Sequence, residues 1–244
     1  NTGVLSGTPT NNDVGGHSVV LSVIDAFGAE VTQSFTITVA NINDAPEFTC
    51  IDITEATEDS VYSYTVTASD VDVGSAFTFN ATTLPSWLTF DGTATISGTP
   101  TNDNVGANSV VLTVSDGTAT VERPFTITVE NTNDLPSQFD LISPQNNITI
   151  YDNDIEFQWQ LSEDVDQDDL LNYIFYIEGT NSFFSDSISN VNTYSISTSE
   201  LIDIASPSDF TFSSGDLTLY LRWYVACYDK INTTYSDSST FKIS

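Results

Sequence analysis

Residues 5–23 read LSGTPTNNDVGGHSVVLSV, and residues 96–114 read ISGTPTNDNVGANSVVLTV. A second pair of copies follows, FTITVANINDAP at 35–46 and FTITVENTNDLP at 125–136. The period of roughly 90 residues is that of a domain and too long for a solenoid repeat, so tandem domains are expected. Asn1 aligns with Gly92 of the second copy, and the first copy therefore lacks a counterpart of 46–91.

Inside both copies apolar residues alternate with polar ones. Ser18-Val19-Val20-Leu21-Ser22-Val23, Phe35-Thr36-Ile37-Thr38-Val39 and Val61-Tyr62-Ser63-Tyr64-Thr65-Val66 are β-branched and aromatic runs bounded by Gly, Pro, Asn and Asp. No segment carries a helical period. Between 46 and 136 strands are expected near 48–54, 61–68, 76–81, 87–90, 94–97, 108–115 and 119–130, which suits an immunoglobulin-like sandwich. The linkers Asn41-Ile42-Asn43-Asp44-Ala45-Pro46 and Asn131-Thr132-Asn133-Asp134-Leu135-Pro136 end in proline, which favours a short extended connection. Beyond Pro136 the repeat stops. New strand patterns at 155–161, 172–177, 219–226 and 239–243 indicate a third sandwich of another subtype. The expected fold is all-β: sandwiches strung as beads, with 1–45 the C-terminal half of one repeat, 46–136 a complete repeat and 137–244 the third domain.

Against 34 acidic residues stand 4 basic ones, and the formal net charge is -30. Too few cations are present to neutralise phosphates, which argues against nucleic-acid binding, and an anionic membrane surface would repel the chain. The charge either keeps an exposed protein solvated or meets divalent cations. Hydrophobic residues make up 39% and aromatics 11%, enough apolar surface to fold. No apolar run is long enough to span a bilayer. Cys50 and Cys227 fall in different expected domains and read as two separate thiols. Sequons at Asn80, Asn147 and Asn232 are compatible with glycosylation in a secreted context.

The order NDAPEF, TEDSVYSYTVTASDVDVG, LPSWLTFDGTATISGTPTNDNVGANSVVLTVSDG, FTITVENTNDLP over 46–136 resembles the immunoglobulin-like, dystroglycan-type cadherin-like repeats of bacterial and archaeal surface proteins, and 1–45 resembles the C-terminal half of one. Residues 137–244 resemble a fibronectin type III-like module through SPQNN, FQW, SEDVDQDDLLNY and LRWYVAC.

Calcium takes six to eight oxygen ligands from carboxylates, amides and backbone carbonyls. Linker residues Asn41, Asn43 and Asp44 precede a loop, Ser69-Asp70-Val71-Asp72, in which Asp70 and Asp72 stand two apart and share a side of an extended chain. The resemblance adds Asp116 of the SDG turn, with Asp25 as its copy in the first repeat. It also places Glu58 and Asp59 where cadherin-like repeats carry an acidic pair directed at the next linker, here Asn131, Asn133 and Asp134. Asp164, Asp166 and Asp168 alternate in a loop like the DxD of the second repeat, although no DRE-type triplet is evident. Asp and Asn also form turns by bonding their own backbone, and that reading stays open beside the metal one.

No nucleophile elbow and no Ser/His/Asp set stands in the sequence, so an enzyme is not expected. His17, set opposite Ala107 of the second copy, lacks a second histidine or a matched cysteine for zinc. Trp87 is expected in a core, and Trp159 and Trp223 are expected to pack across the core of the third domain. The leading expectation is an extracellular, cell-surface structural or adhesive segment, with junctions stiffened by calcium and with other copies or other surface proteins as partners. Two alternatives are a subunit of a filament or surface layer in which another chain completes the first repeat, and a spacer or glycan-binding accessory of a secreted enzyme.

Overall fold

Alternating apolar residues on short, turn-bounded runs can bury one face only by pairing into sheets, and strands dominate the fold. The computed structural model describes residues 3–151, 154–166, 170–213 and 215–244. It divides into two units, Asn1–Asn131 and Thr132–Ser244.

The first unit begins with a hairpin of β1 (Gly15–Ile24) and β2 (Glu30–Val39), in register from Gly15 opposite Val39 to Ile24 opposite Glu30. The second copy then supplies β3 (Glu47–Phe48), β4 (Glu55–Thr57), β5 (Tyr62–Thr65), β6 (Ala68–Ser69), β7 (Thr78–Thr83) and β8 (Leu88–Phe90). It continues with β9 (Thr95–Gly98), β10 (Gly106–Ser115) and β11 (Thr120–Glu130). One sheet has the order β4-β11-β10-β7, a second β5-β9-β8, and β3 pairs with β6. The expected strands 48–54 and 61–68 are each broken. Thr65 still pairs with β9, whereas Thr67 accepts from the N–H of Thr49, so the chain changes partners at Val66. Val110, Leu112, Ile127 and Val129 from one sheet meet Tyr62, Tyr64, Leu88 and Ile96 from the other in a single core. Trp87 packs on its edge, 5.6 Å from the Tyr62 ring, with its indole N–H donating to Asn108.

The first copy repeats the hairpin without this cover. Leu112, Val114, Ile127 and Ile96 are 0–1% exposed. Their counterparts Leu21, Val23, Ile37 and Leu5 are 46%, 73%, 40% and 62% exposed. No counterpart of β5 and β8 precedes them in 3–45 to lie over that face. The register also equates His17, opposite Ile37, with Asn108, opposite Ile127, and not with Ala107. Both side chains grip the loop behind them: His17 Nε2 lies 2.6 Å from the Asp13 carbonyl, and Asn108 donates to the Asn104 carbonyl.

The second unit contains β12 (Leu141–Ser143), β13 (Ile148–Ile150), β14 (Asp154–Trp159), β15 (Asn172–Glu178), β16 (Phe183–Ser189) and β17 (Thr193–Ser197). After α1 (Thr198–Ile204) come β18 (Phe210–Ser213), β19 (Asp216–Tyr228), β20 (Thr233–Tyr235) and β21 (Ser239–Ile243). The sheet β12-β14-β17 shares a core with the larger sheet β13-β21-β19-β15-β16, on which β18 and β20 also pair with β19. Trp159 on β14 and Trp223 on β19 are both buried, and Phe157 and Phe175 link them at ring distances of 4.8–6.3 Å. This one short α-helix forms although no segment carries a helical period. Ser197 caps it by accepting from Glu200 N–H, while the Glu200 carboxylate receives the Ser197 N–H, a capping box that a seven-residue helix hides from any search for periodicity. Cys50 and Cys227 are free thiols, the first half-buried and the second buried.

Candidate functional site

The acidic residues of the first unit are organised by the linker that enters the second repeat. Asp44 N–H donates to Asp72 Oδ2 (2.8 Å), and Asp72 N–H donates to Asp70 Oδ1 (2.9 Å). The Asn43 amide donates to the Asp44 carbonyl (2.5 Å) and to Asp116 Oδ2 (2.9 Å). Asp116 Oδ1 accepts the N–H groups of Thr118 and Ala119, closing the turn after β10 with Gly117 at φ 94°. These bonds from Ala119, Asn43 and Thr118 hold the Asp116 carboxyl below its ordinary value. From the first repeat, the Asn11 amide donates to Asp44 Oδ2 at 2.7 Å.

The same clamp is built again in the second unit. Asp134 N–H donates to Asp166 Oδ2 (2.7 Å), and Asp166 N–H donates to Asp164 Oδ1 (3.0 Å). The Asn133 amide donates to the Asp134 carbonyl (2.7 Å) and to Asp229 Oδ2 (3.0 Å). Asp229 Oδ1 accepts the N–H groups of Ile231 and Asn232. Burial pushes the Asp229 carboxyl up, but the bonds from Asn232, Asn133 and Ile231 outweigh it and leave the group below its ordinary value. Asp229 was not among the expected ligands. It follows β19 as Asp116 follows β10, but Lys230 at φ 89° stands where Gly117 marks the SDG turn, so the motif is masked.

Of the other expected residues, Asn41 is exposed upstream of the first clamp. Glu58 and Asp59 follow β4, their N–H groups bonded to the Glu130 and Pro100 carbonyls, and Asp59 has φ 57°. Asn131 is the last residue of the first unit. Asp25 closes the β1–β2 turn by accepting from Phe27 and Ala29. Asp168 lies outside the described residues. Asn80 and Asn147 are exposed, whereas Asn232 is half-buried and its amide donates to the Asp134 carbonyl.

The clamps can hold a hard cation. Asp70 Oδ2 and Asp72 Oδ1 at the first, and Asp164 Oδ2 at the second, are enclosed oxygens that receive no hydrogen bond. An enclosed carboxylate oxygen without a donor is costly unless a cation meets it. The donor set is all oxygen, the chemistry calcium selects. Carboxylate oxygens of Asp134 and Asp166 lie within 4.8 Å of one another; at the first clamp no trio of described carboxylates comes that close.

The fold and these clamps define tandem immunoglobulin-like sandwiches with acidic, clamped linkers. The chain belongs to the family described as "Putative Ig domain", which matches residues 1–40 and 45–130. It is similar to the "Serine-rich adhesin for platelets" of Staphylococcus aureus strain USA300, 38% identical over 120 residues, 49% of this chain. The MRSA252 form of that adhesin is 37% identical over the same length. The matched region spans 5% and 9% of those two relatives. Among solved structures, the human cadherin fragment CDH23 EC21-23 matches with a TM-score of 0.51 at 17% identity, over 94% of this chain and 74% of that one, a likeness of fold. Among the described residues no helix is long and apolar enough to cross a membrane.

Proposed function

We propose that the chain is an extracellular segment of a cell-surface adhesin in which calcium locks each linker onto the sandwich that follows it. The observation that supports this is the twofold clamp, with its enclosed, undonated carboxylate oxygens at Asp70, Asp72 and Asp164. Asn43, Asp44, Asp70, Asp72 and Asp116 would hold the first ion, and Asn133, Asp134, Asp164, Asp166 and Asp229 the second. The ion supplies charge neutralisation. Without it, the carboxylates around Asp44 and Asp134 repel one another and the linker is held by a few hydrogen bonds alone. The order of sheets in 132–244 favours reading that unit as fibronectin type III-like. Partners on this reading are other surface proteins or further copies of the chain.

The test is thermal unfolding of the whole chain in EDTA and in millimolar calcium. Ligand at a hundred times its dissociation constant adds about 2.7 kcal/mol per site to the folded state, a shift of several degrees. Superimposable melting curves in EDTA and calcium would remove the metal reading.

A further inference from the structure

The outer face of the larger sheet in the second unit carries a feature that the proposed calcium clamps do not use. Of the four Lys and Arg residues in the chain, two, Arg222 and Lys242, line one groove of about 460 Å³. Asn147, Glu178, Thr180 and Tyr220 also stand in its wall. The other two cations lie elsewhere: Arg123 pairs with Asp52 at 2.9 Å, and Lys230 stands in the turn after Asp229.

The groove is preorganised on rigid strands. Arg222 on β19 is paired with Glu178 on β15, and the other Glu178 oxygen accepts the Tyr224 hydroxyl at 2.6 Å. Tyr176 stacks on Tyr224 with rings 4.7 Å apart, while the Arg222 guanidinium lies 5.7 Å from the Tyr224 ring centre. Arg222 and Glu178 are thus held in place by each other and by the rings beneath them. Lys242, opposite Tyr220 in the register, forms no ion pair among the described residues, and Tyr220 is half exposed.

The chemistry on offer is an exposed aromatic ring, a free ammonium, a carboxylate–guanidinium pair able to bond adjacent hydroxyls, and amide and hydroxyl groups from Asn147 and Thr180. We propose that this groove binds the terminal sugar of an acidic saccharide, with the pyranose against Tyr220, its hydroxyls on Glu178 and Arg222, and its carboxylate on Lys242. A pocket of this size is in the range of small-ligand sites. One carboxylate is compatible with the acidic chain, because charges beyond about 8 Å are screened at physiological ionic strength, whereas a polyanion would meet the whole surface. No residue of either calcium clamp lines the groove, so the outcome is independent of the metal reading.

The experiment is saturation-transfer NMR on the full chain with matched disaccharides that differ by one C6 carboxylate, cellobiouronate against cellobiose and galacturonyl-β1,4-glucose against lactose, with heparin as the polyanion. Transfer to at least one uronate, with affinity about tenfold above its neutral counterpart, is expected from one charge-assisted contact. Lys242→Met should reduce that preference to near unity while keeping the neutral affinity. Tyr220→Ala should weaken both members of the pair. Both side chains sit on the outer face, and an unchanged near-ultraviolet spectrum checks that the variants fold. Absence of transfer to every uronate at several millimolar, equal binding of the neutral sugars, binding of heparin alone, or a preference untouched by Lys242→Met overturns the proposal.

Discussion

Replacing Asp229 tests whether the second unit holds its linker as described. The carboxylate is 1% exposed and takes three donors, the N–H groups of Ile231 and Asn232 at 2.6 Å and the Asn133 amide at 3.0 Å. A hydrogen bond to a charged group is worth about 1.5–3 kcal/mol, and turn amides regain some water when their acceptor goes. Asp229→Ala should therefore cost about 3 kcal/mol in the second unit. For a domain of this size that is roughly 12 °C in melting temperature. Asp229→Asn keeps an oxygen for the turn but faces the Asn133 amide with another amide, and should cost about 1.5 kcal/mol, roughly 6 °C. Calorimetry gives the melting shift, and hydrogen exchange locates it: peptides over 132–136 and 229–234 should lose protection together. In the asparagine variant the response to calcium should also shrink, since the ligand loses its charge. A melting temperature for Asp229→Ala within a degree of the parent, or exchange confined to 229–234 with the linker unaffected, would refute the clamp.

The two repeat copies carry their own control for packing. A Cβ on Gly98 would sit 1.8 Å from the Trp87 carbonyl, whereas its copy Gly7 has nothing within 4 Å. Gly98→Ala should lower the stability of the first unit by about 3 kcal/mol and Gly7→Ala by less than about 0.5 kcal/mol, read by denaturant titration; equal effects would mean that the first copy is packed like the second. Acid should act late. Asp116 and Asp229 titrate below their ordinary value of 3.8 in the fold, so their contribution is complete above that pH and is lost as pH falls through the lower folded values. Linker protection should accordingly be flat between pH 7 and 5 in EDTA and decline only below about pH 4; a midpoint near pH 6 would point to other groups.

How much of this was legible in the sequence depended on the range of the interactions involved. Long alternating runs such as 106–115 and 120–130 were readable because each pairs along its whole length with one neighbour. The run at 61–68 reads as one strand in the sequence, since nothing local marks Val66 as the point where β5 leaves its partner. Asp70, Asp72, Asp164 and Asp166 stand out by their spacing of two, and both pairs make the same hydrogen bonds to the linker. Asp229 did not, because what defines it is a left-handed residue after it, and a lysine in that conformation leaves no trace that a glycine would. Trp159 and Trp223 were correctly placed in one core, while the phenylalanines that join them were visible only in three dimensions.

The repeat ends at Pro136, yet the clamp does not. Asn133 and Asp134 meet Asp166 and Asp229 in a sandwich whose sequence no longer follows the first two copies, through bonds that match those of Asn43 and Asp44 with Asp72 and Asp116 one for one. The turns differ, with Gly117 in one and Lys230 in the other, and so do the sheets, but the donors and acceptors do not. A loop that needed only to turn would be satisfied by any Asx motif and would not require a linker amide to bridge to a second carboxylate. Bringing Asp134 and Asp166 oxygens within 4.8 Å of each other in a chain already at charge -30 is unfavourable by itself. The proposed cation would offset that repulsion at the second clamp, and calcium is the ion whose preference for many oxygen ligands fits the set.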